Sequence, residues 1–306
     1  MQDLHQLPKL RDSLSYLYVE HAILDKKQQA IEFIKKDGRT LIPTANLSVL
    51  MLGPGTSITH AAITTLARSG TSVLWLGEDA TRFYAQGLGE TRKGQRLLHQ
   101  AALVSNPAKR QQVVLNMYRH RFHYDLPPDL TLPQIRGNEG VRVRQAYAQA
   151  SKKYGVPWYG RHYDRNSWGS GDPVNRALSA ANALLNGLCH AAIVSGGYSP
   201  GLGFIHTGKQ LSFVYDIADL YKVDITIPLA FATVAESPEK VESRVRAACR
   251  QKFKEEKLLQ RILPDIDSLL DLPAGEAQPI EAGGDIDNDP ALPTRLWSQI
   301  EGDEEE

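Results

Sequence analysis

The sequence predicts an α+β chain, with a β-rich N-terminal part, a C-terminal all-α helical part and an acidic flexible tail. Three observations predict it. Short β-favouring runs closed by Gly and Pro fill the first 87 residues. Helical spacing and good helix formers take over after about residue 90. From 273 onward the chain is rich in Pro, Gly and acids, a composition too poor in apolar groups to fold by itself. The expected divisions are 1–87 (β-rich domain), 88–272 (α-helical domain) and 273–306 (disordered tail), with QGLGET (86–91) as the linker.

The elements follow in order. LSYLYVE (14–20) and QAIEFIKK (29–36) read as strands. Lys36-Asp37-Gly38-Arg39 reads as a hairpin turn, because Asp-Gly tolerates positive φ. SVLMLGPG (48–55) and TSVLWLG (71–77) read as buried strands. ITHAAITTLARSG between them is helical, with Gly70 as its stop. RFYAQG (82–87) reads as a last short strand. Helices are expected over 92–104, 108–123, 132–154, 174–193 and 241–260. Pro127-Pro128 and the stretch 155–173 read as loops.

Charge at first excludes a polyanion binder, since 35 Lys and Arg balance 35 Asp and Glu over 306 residues. The balance does not survive division. Residues 273–306 hold ten acids and one base, leaving 34 bases against 25 acids in the body, a net of +9. Residues 92–165 hold fourteen bases and four acids, a net of +10. Such asymmetry points to a polyanion partner. The start of the chain lacks the apolar run of a signal peptide, and Cys189 and Cys249 form no C-x-x-C pair. A reducing, cytoplasmic setting is the expectation. Residues 177–205 carry no formal charge, but Ser179, Asn182, Asn186 and His190 recur at helical spacing. That stripe argues for a buried bundle helix with satisfied polar groups, and not for a membrane span.

Chemistry concentrates in FIHTGKQLSFVYDIADLYK (204–222), which carries His206, Lys209, Tyr215, Asp216, Asp219 and Lys222. Asp216 and Asp219 are three apart and share a face if helical. Two carboxylates and an imidazole suit a divalent ion such as Mg²⁺ or Mn²⁺. An ordinary helix with an Asp219–Lys222 ion pair accounts for the same residues. Gly203 to Lys209 fits G-x-x-x-x-G-K, but Gln210 stands where a phosphate loop needs Ser or Thr, so nucleotide binding is not expected. In QIRGNEGVRVRQAY (134–147), Glu139 lies three residues from both Arg136 and Arg142, with Arg144 beyond. Either these are surface ion pairs or a carboxylate sits in a phosphate-binding surface. Trp158, Tyr159, Arg161, His162, Tyr163, Arg165 and Trp168 alternate aromatic and basic side chains, a pattern suited to base stacking or to a self-packed loop.

Together these segments resemble the CRISPR-associated integrase family, the first-numbered Cas protein, and especially its subtype I-E branch. RGNEG with Glu139, GRHYD with Tyr163 and the 204–222 block carry the resemblance, with MLGPGTSITHAAI (51–63) and WLGEDATRFYAQG (75–87) in support. It covers roughly residues 11–265. It implies a metal site of Glu139, His206 and Asp219 for Mg²⁺ or Mn²⁺, with Asp216 as a supporting carboxylate. It further implies DNA contacts at Arg82, Tyr163 and Lys209. Arg136, Arg142, Arg144 and Lys222 join them on charge. His21 falls where relatives use a tyrosine to bracket the duplex end. The implied activity is joining of 3′-hydroxyl ends of duplex prespacers into the CRISPR repeat by transesterification. The implied partners are duplex DNA, a second copy in a homodimer, and the small second-numbered CRISPR-associated protein in a hetero-hexameric complex. Two alternatives remain open: a general metal-dependent nuclease for branched DNA repair, and a non-catalytic DNA-binding scaffold.

Overall fold

The computed structural model describes residues 16–28, 30–44, 47, 49–77, 83–87, 94–122, 130–161 and 172–272. Two four-stranded sheets precede the helices. The first has the order β1 (Tyr16–Val19), β5 (Val49–Leu52), β7 (Ser72–Leu76), β8 (Phe83–Gln86). Its first three strands are parallel and β8 closes it antiparallel. All four residues of β5 are buried, as the continuous VLML run requires of a parallel strand covered on both faces. The second sheet has the order β4 (Gly38–Pro43), β3 (Ala30–Lys35), β2 (Ile23–Lys27), β6 (Ser57–Ile58). Helix α1 (His60–Arg68) crosses between β6 and β7, capped by the Thr59 side chain.

Strands β2 and β6 were not legible in the sequence, because ILDKK carries three charges and β6 is only two residues long. The hairpin differs in detail from its expectation. Lys35 pairs with Gly38, so the loop is Lys36-Asp37 and Gly38 opens β4. Neither loop residue has positive φ, and Gly38 takes the extreme value of 152° after the turn.

The helical part comprises α2 (Gln95–Ser105), α3 (Pro107–Phe122), α4 (Leu132–Tyr154), α5 (Pro173–Ser195), α6 (Ser212–Ala218), a π-turn (Lys222–Thr226), α7 (Ile227–Glu236), α8 (Val241–Glu255) and α9 (Leu258–Leu269). Helix α4 keeps its expected bounds for local reasons. Thr131 and Gln134 form a capping box, and Gly155 ends the helix with φ of 65°. The expected helix over 241–260 is two helices, parted where Lys257 adopts φ of 48°. Helix α7 was missed, because IPLAFATVAE is apolar throughout and shows no helical stripe.

Helix α5 is the axle of the body, packing against α6, α7, α8 and α9 and touching β7. It is long and apolar enough to cross a membrane, yet most of that stretch is buried inside this fold. Its polar stripe is satisfied only in part: Asn186 Oδ1 is buried without a hydrogen-bond partner among the described residues, while Ser179 and Asn182 are bonded. Ser179 accepts from Arg161 at 3.0 Å, and Asn182 accepts from Thr226 at 2.7 Å. The largest apolar cluster spans both parts, since Val49, Met51, Leu74 and Leu76 of the first sheet join it with the helices. Ser72 of β7 and Ser195 at the end of α5, both buried, share a 2.5 Å hydrogen bond across that seam.

Candidate active site

The 204–222 segment folds as a loop, the helix α6 and a turn. The loop is pinned from three sides. Gln100 of α2, fully buried, donates to the Ser199 and Leu202 carbonyls and accepts from the Ser199 amide. Arg110 of α3 donates from two nitrogens to the Phe204 carbonyl, at 2.9 and 2.7 Å. Asp216 of α6 closes the loop from within. Its Oδ2 accepts from the Phe204 and Ile205 amides at 2.6 and 3.1 Å. Its Oδ1 accepts from the His206 amide at 2.9 Å and from His206 Nδ1 at 2.7 Å. Gly203 is obligatory here, because a Cβ would lie 2.3 Å from the His206 carbonyl oxygen.

Asp216 and Asp219 therefore do not share a role or a surroundings. Asp216 is fully buried, and its oxygens are taken by four protein donors. Since the carboxylate can only accept, Nδ1 carries the proton and Nε2 of His206 keeps its lone pair. The loop amides that a phosphate loop would offer to an anion are spent on this side chain. Asp219, at the C-cap of α6, is about a quarter exposed and 2.5 Å from Lys222. The expected ion pair and the candidate ligand are thus the same carboxylate. Burial pushes the Asp219 pKa up, but Lys222, Arg121 and His206 together outweigh it and hold the acid below its ordinary range.

Glu139 enters from α4. Its carboxylate meets Arg142 Nη1 at 3.5 Å and Arg121 Nη1 at 3.6 Å. Arg121 of α3 also reaches Asp219, from Nη2 at 3.6 Å. One guanidinium therefore stands between the carboxylates that the sequence placed in a ligand set. Among the described residues no three His, Cys, Asp or Glu side chains converge at metal-ligand distance. The chemistry of the donors still fits a divalent ion. Two carboxylates already share one cation, and the imidazole is oriented by its other nitrogen.

The remaining expected residues separate into groups. Lys209 is exposed, with Nζ 5.9 Å from the Tyr215 ring centroid, and Tyr215 meets His206 edge-on. Arg136 is exposed and lies near the Tyr118 hydroxyl, while Arg144 is exposed and leans back toward Gly140. Arg142 is half-buried over the Phe122 ring. His21 lies in the sheet part, between β1 and β2, with φ of 49° and its ring against Gly55. Arg82, Tyr163 and the acidic tail lie outside the described residues. Gln100, Arg110 and Arg121 were missed. A signal for Arg121 existed: it falls on the stripe Val114, Met117, Tyr118, Arg121, Phe122, the buried face of α3.

The architecture is a double-sheet β part on a helical body that carries a Glu139–Arg121–Asp219 cluster beside the Asp216–His206 pair. A family model described as CRISPR associated protein Cas1 matches residues 15–126 and 123–242. CRISPR-associated endonuclease Cas1 2 of Thermus thermophilus is 55% identical over 304 residues, covering 99% of this chain and 92% of the relative. CRISPR-associated endonuclease Cas1 of Geobacter sulfurreducens is 43% identical over 288 residues, covering 90% and 94%. Among solved structures, the crystal structure of a TtCas1–DNA complex superposes with a TM-score of 0.71 at 58% identity, covering 86% of this chain and 99% of the other. The chain belongs to the Cas1 family.

Proposed function

We propose that this chain is a metal-dependent DNA integrase of CRISPR adaptation, of the subtype I-E branch. One observation carries the reading: Glu139 and Asp219, from separate elements, share the Arg121 guanidinium, and His206 is held through Nδ1 by Asp216 of the helix that Asp219 ends. Glu139, His206 Nε2 and Asp219 would hold Mg²⁺ or Mn²⁺. Bound there, the ion supplies Lewis acidity at the phosphate and charge for the oxygens in transfer. Asp216 fixes the tautomer and direction of His206. Arg136, Arg144 and Lys209 present exposed cations to DNA phosphates. Arg82, Tyr163 and His21 are further DNA contacts of this reading. In the transfer, a prespacer 3′-hydroxyl gives its proton to solvent and bonds to the phosphorus at the repeat boundary, and the 3′-oxygen of the preceding nucleotide leaves and takes up a proton. The relative solved as a DNA complex supports DNA as the partner, which this reading takes to be duplex. A homodimer and a hetero-hexamer with the small second-numbered CRISPR-associated protein complete the reading.

A second reading, a metal-dependent nuclease for branched DNA, draws on the word endonuclease in the relatives' names. Incubation with the small partner, labelled duplex and a supercoiled CRISPR plasmid separates the two. The expected result is joining at the first repeat that needs Mg²⁺ or Mn²⁺ and disappears in Glu139→Ala and His206→Ala. Joining that persists in both variants removes the proposed metal site. Cleavage without joining selects the nuclease.

A further inference from the structure

Arg121 is placed unlike the other interior arginines of this body. Its side chain is only 4% exposed. Arg96 closes on Asp267 at 2.8 Å, and Arg110 closes on the Phe204 carbonyl at 2.7 Å. Arg121 donates from Nη2 to the Asp216 carbonyl at 3.3 Å and closes tightly on neither carboxylate. It stands 3.6 Å from Glu139 and 3.6 Å from Asp219. Its Nε has no hydrogen-bond partner among the described residues. The guanidinium also lies over the Tyr118 ring, 5.4 Å from the centroid.

A buried guanidinium with slack contacts is costly unless opposite charge surrounds it. Here the opposite charge comes from two sides, on elements whose backbones are fixed elsewhere. Glu139 rides on α4, and Asp219 ends α6. One nitrogen of the guanidinium faces each carboxylate, Nη1 toward Glu139 and Nη2 toward Asp219. Without a cation between them the two acids would repel or turn to solvent.

We propose that Arg121 is a positioning residue: its guanidinium holds the Glu139 and Asp219 carboxylates on either side of one point, as the internal counter-charge of a pair that a divalent cation then shares. The proposal rests on the metal site put forward above, and the test separates the two.

Thermal melting of the full chain is measured in EDTA and in Mn²⁺, for wild type, Arg121→Gln, Glu139→Gln and the double variant. Arg121→Gln is expected to melt lower in EDTA by about 4 °C or more. Mn²⁺ is expected to recover at least half of that loss, so its stabilising shift is larger in Arg121→Gln than in wild type. In EDTA the double variant should lose clearly less than the two single losses together, because the partners are coupled. An arginine that only fills space beneath Tyr118 would give the same loss with and without Mn²⁺, and additive losses; either result overturns the proposal. A wild type that ignores Mn²⁺ defeats the metal site itself, and the EDTA cycle then decides the pairing alone. Should Arg121→Gln not fold, Arg121→Lys keeps the charge and loses the fork, and the same comparisons apply with smaller shifts.

Discussion

His206 sits on a loop tied down at every turn, whereas Glu139, its side chain 15% exposed, rides on a helix stretch otherwise largely open to solvent. The His206 half is held by Gln100, Arg110 and Asp216, three polar side chains whose hydrogen bonds reach main-chain groups of the loop. Around Glu139, residues 133, 134, 136, 137, 138 and 141 are exposed, and Ile135 is the nearby buried anchor. That stretch also carries Gly137 and Gly140, two residues that weaken a helix interior. Helix α4 is gripped further along, where Tyr147 stacks on Trp158 at 4.5 Å and both meet Phe231. The difference teaches that one side of the cluster is a rigid reference and the other is free to adjust. Each prediction below tests that contrast, starting with the largest effect.

Asp216→Ala should cost about 3–5 kcal/mol, because it strands the Phe204, Ile205 and His206 amides and the His206 ring. Joining should vanish with the loop. Chemical denaturation checks the magnitude. Glu139→Ala, removing a carboxylate from the open side, should cost much less stability while also abolishing joining. Comparable losses from the two substitutions would break the contrast.

Acid should undermine the rigid half through its support. His190 of α5 is 2% exposed, and burial pushes its pKa down to about 4. The unfolded imidazole titrates near ~6.5. Between these values the unfolded chain binds a proton that the folded chain refuses, so stability falls as pH drops through that window. Well below it the loss reaches roughly 3 kcal/mol. Melting temperature against pH from 7.5 to 4.5 should show this decline. His190→Gln should flatten it, whatever its cost at neutral pH. A profile unchanged by the substitution would assign the decline to other groups.

The rigid half was the more legible of the two in the sequence, for a physical reason. His206, Asp216 and Asp219 lie within fourteen residues, so their proximity is local and survives without tertiary knowledge. The sheet part was legible too, because a period of two and a run such as VLML are properties of short segments. What failed was non-local. Nothing near Asp216 says that its four bonds go inward while Asp219, three residues on, faces two cations. Arg121 reads as one base in the run Arg119-His120-Arg121 until the fold turns it inward. Helix α7 fails in another way. Its buried residues Ile227, Ala230 and Phe231 alternate with equally apolar Pro228, Leu229 and Ala232, so no polar face reveals its period.

The smallest effect tests the open half directly. Gly137 and Gly140 sit inside α4 without positive φ, and an added Cβ at Gly137 meets nothing within 4 Å. At Gly140 it would meet Arg144 Nη1 at 3.8 Å, an ordinary contact. Alanine at either position should therefore stabilise by about 0.5–1 kcal/mol, by narrowing the unfolded ensemble and favouring helix. The double variant should melt higher by about 2–4 °C. If the Glu139 side must shift to receive its ligands, joining should slow as melting rises, with the metal requirement moved to higher Mn²⁺. Stabilisation with unchanged joining would mean that the exposed face of α4 is merely lightly packed. The two halves would then differ in burial alone and not in what each does during transfer.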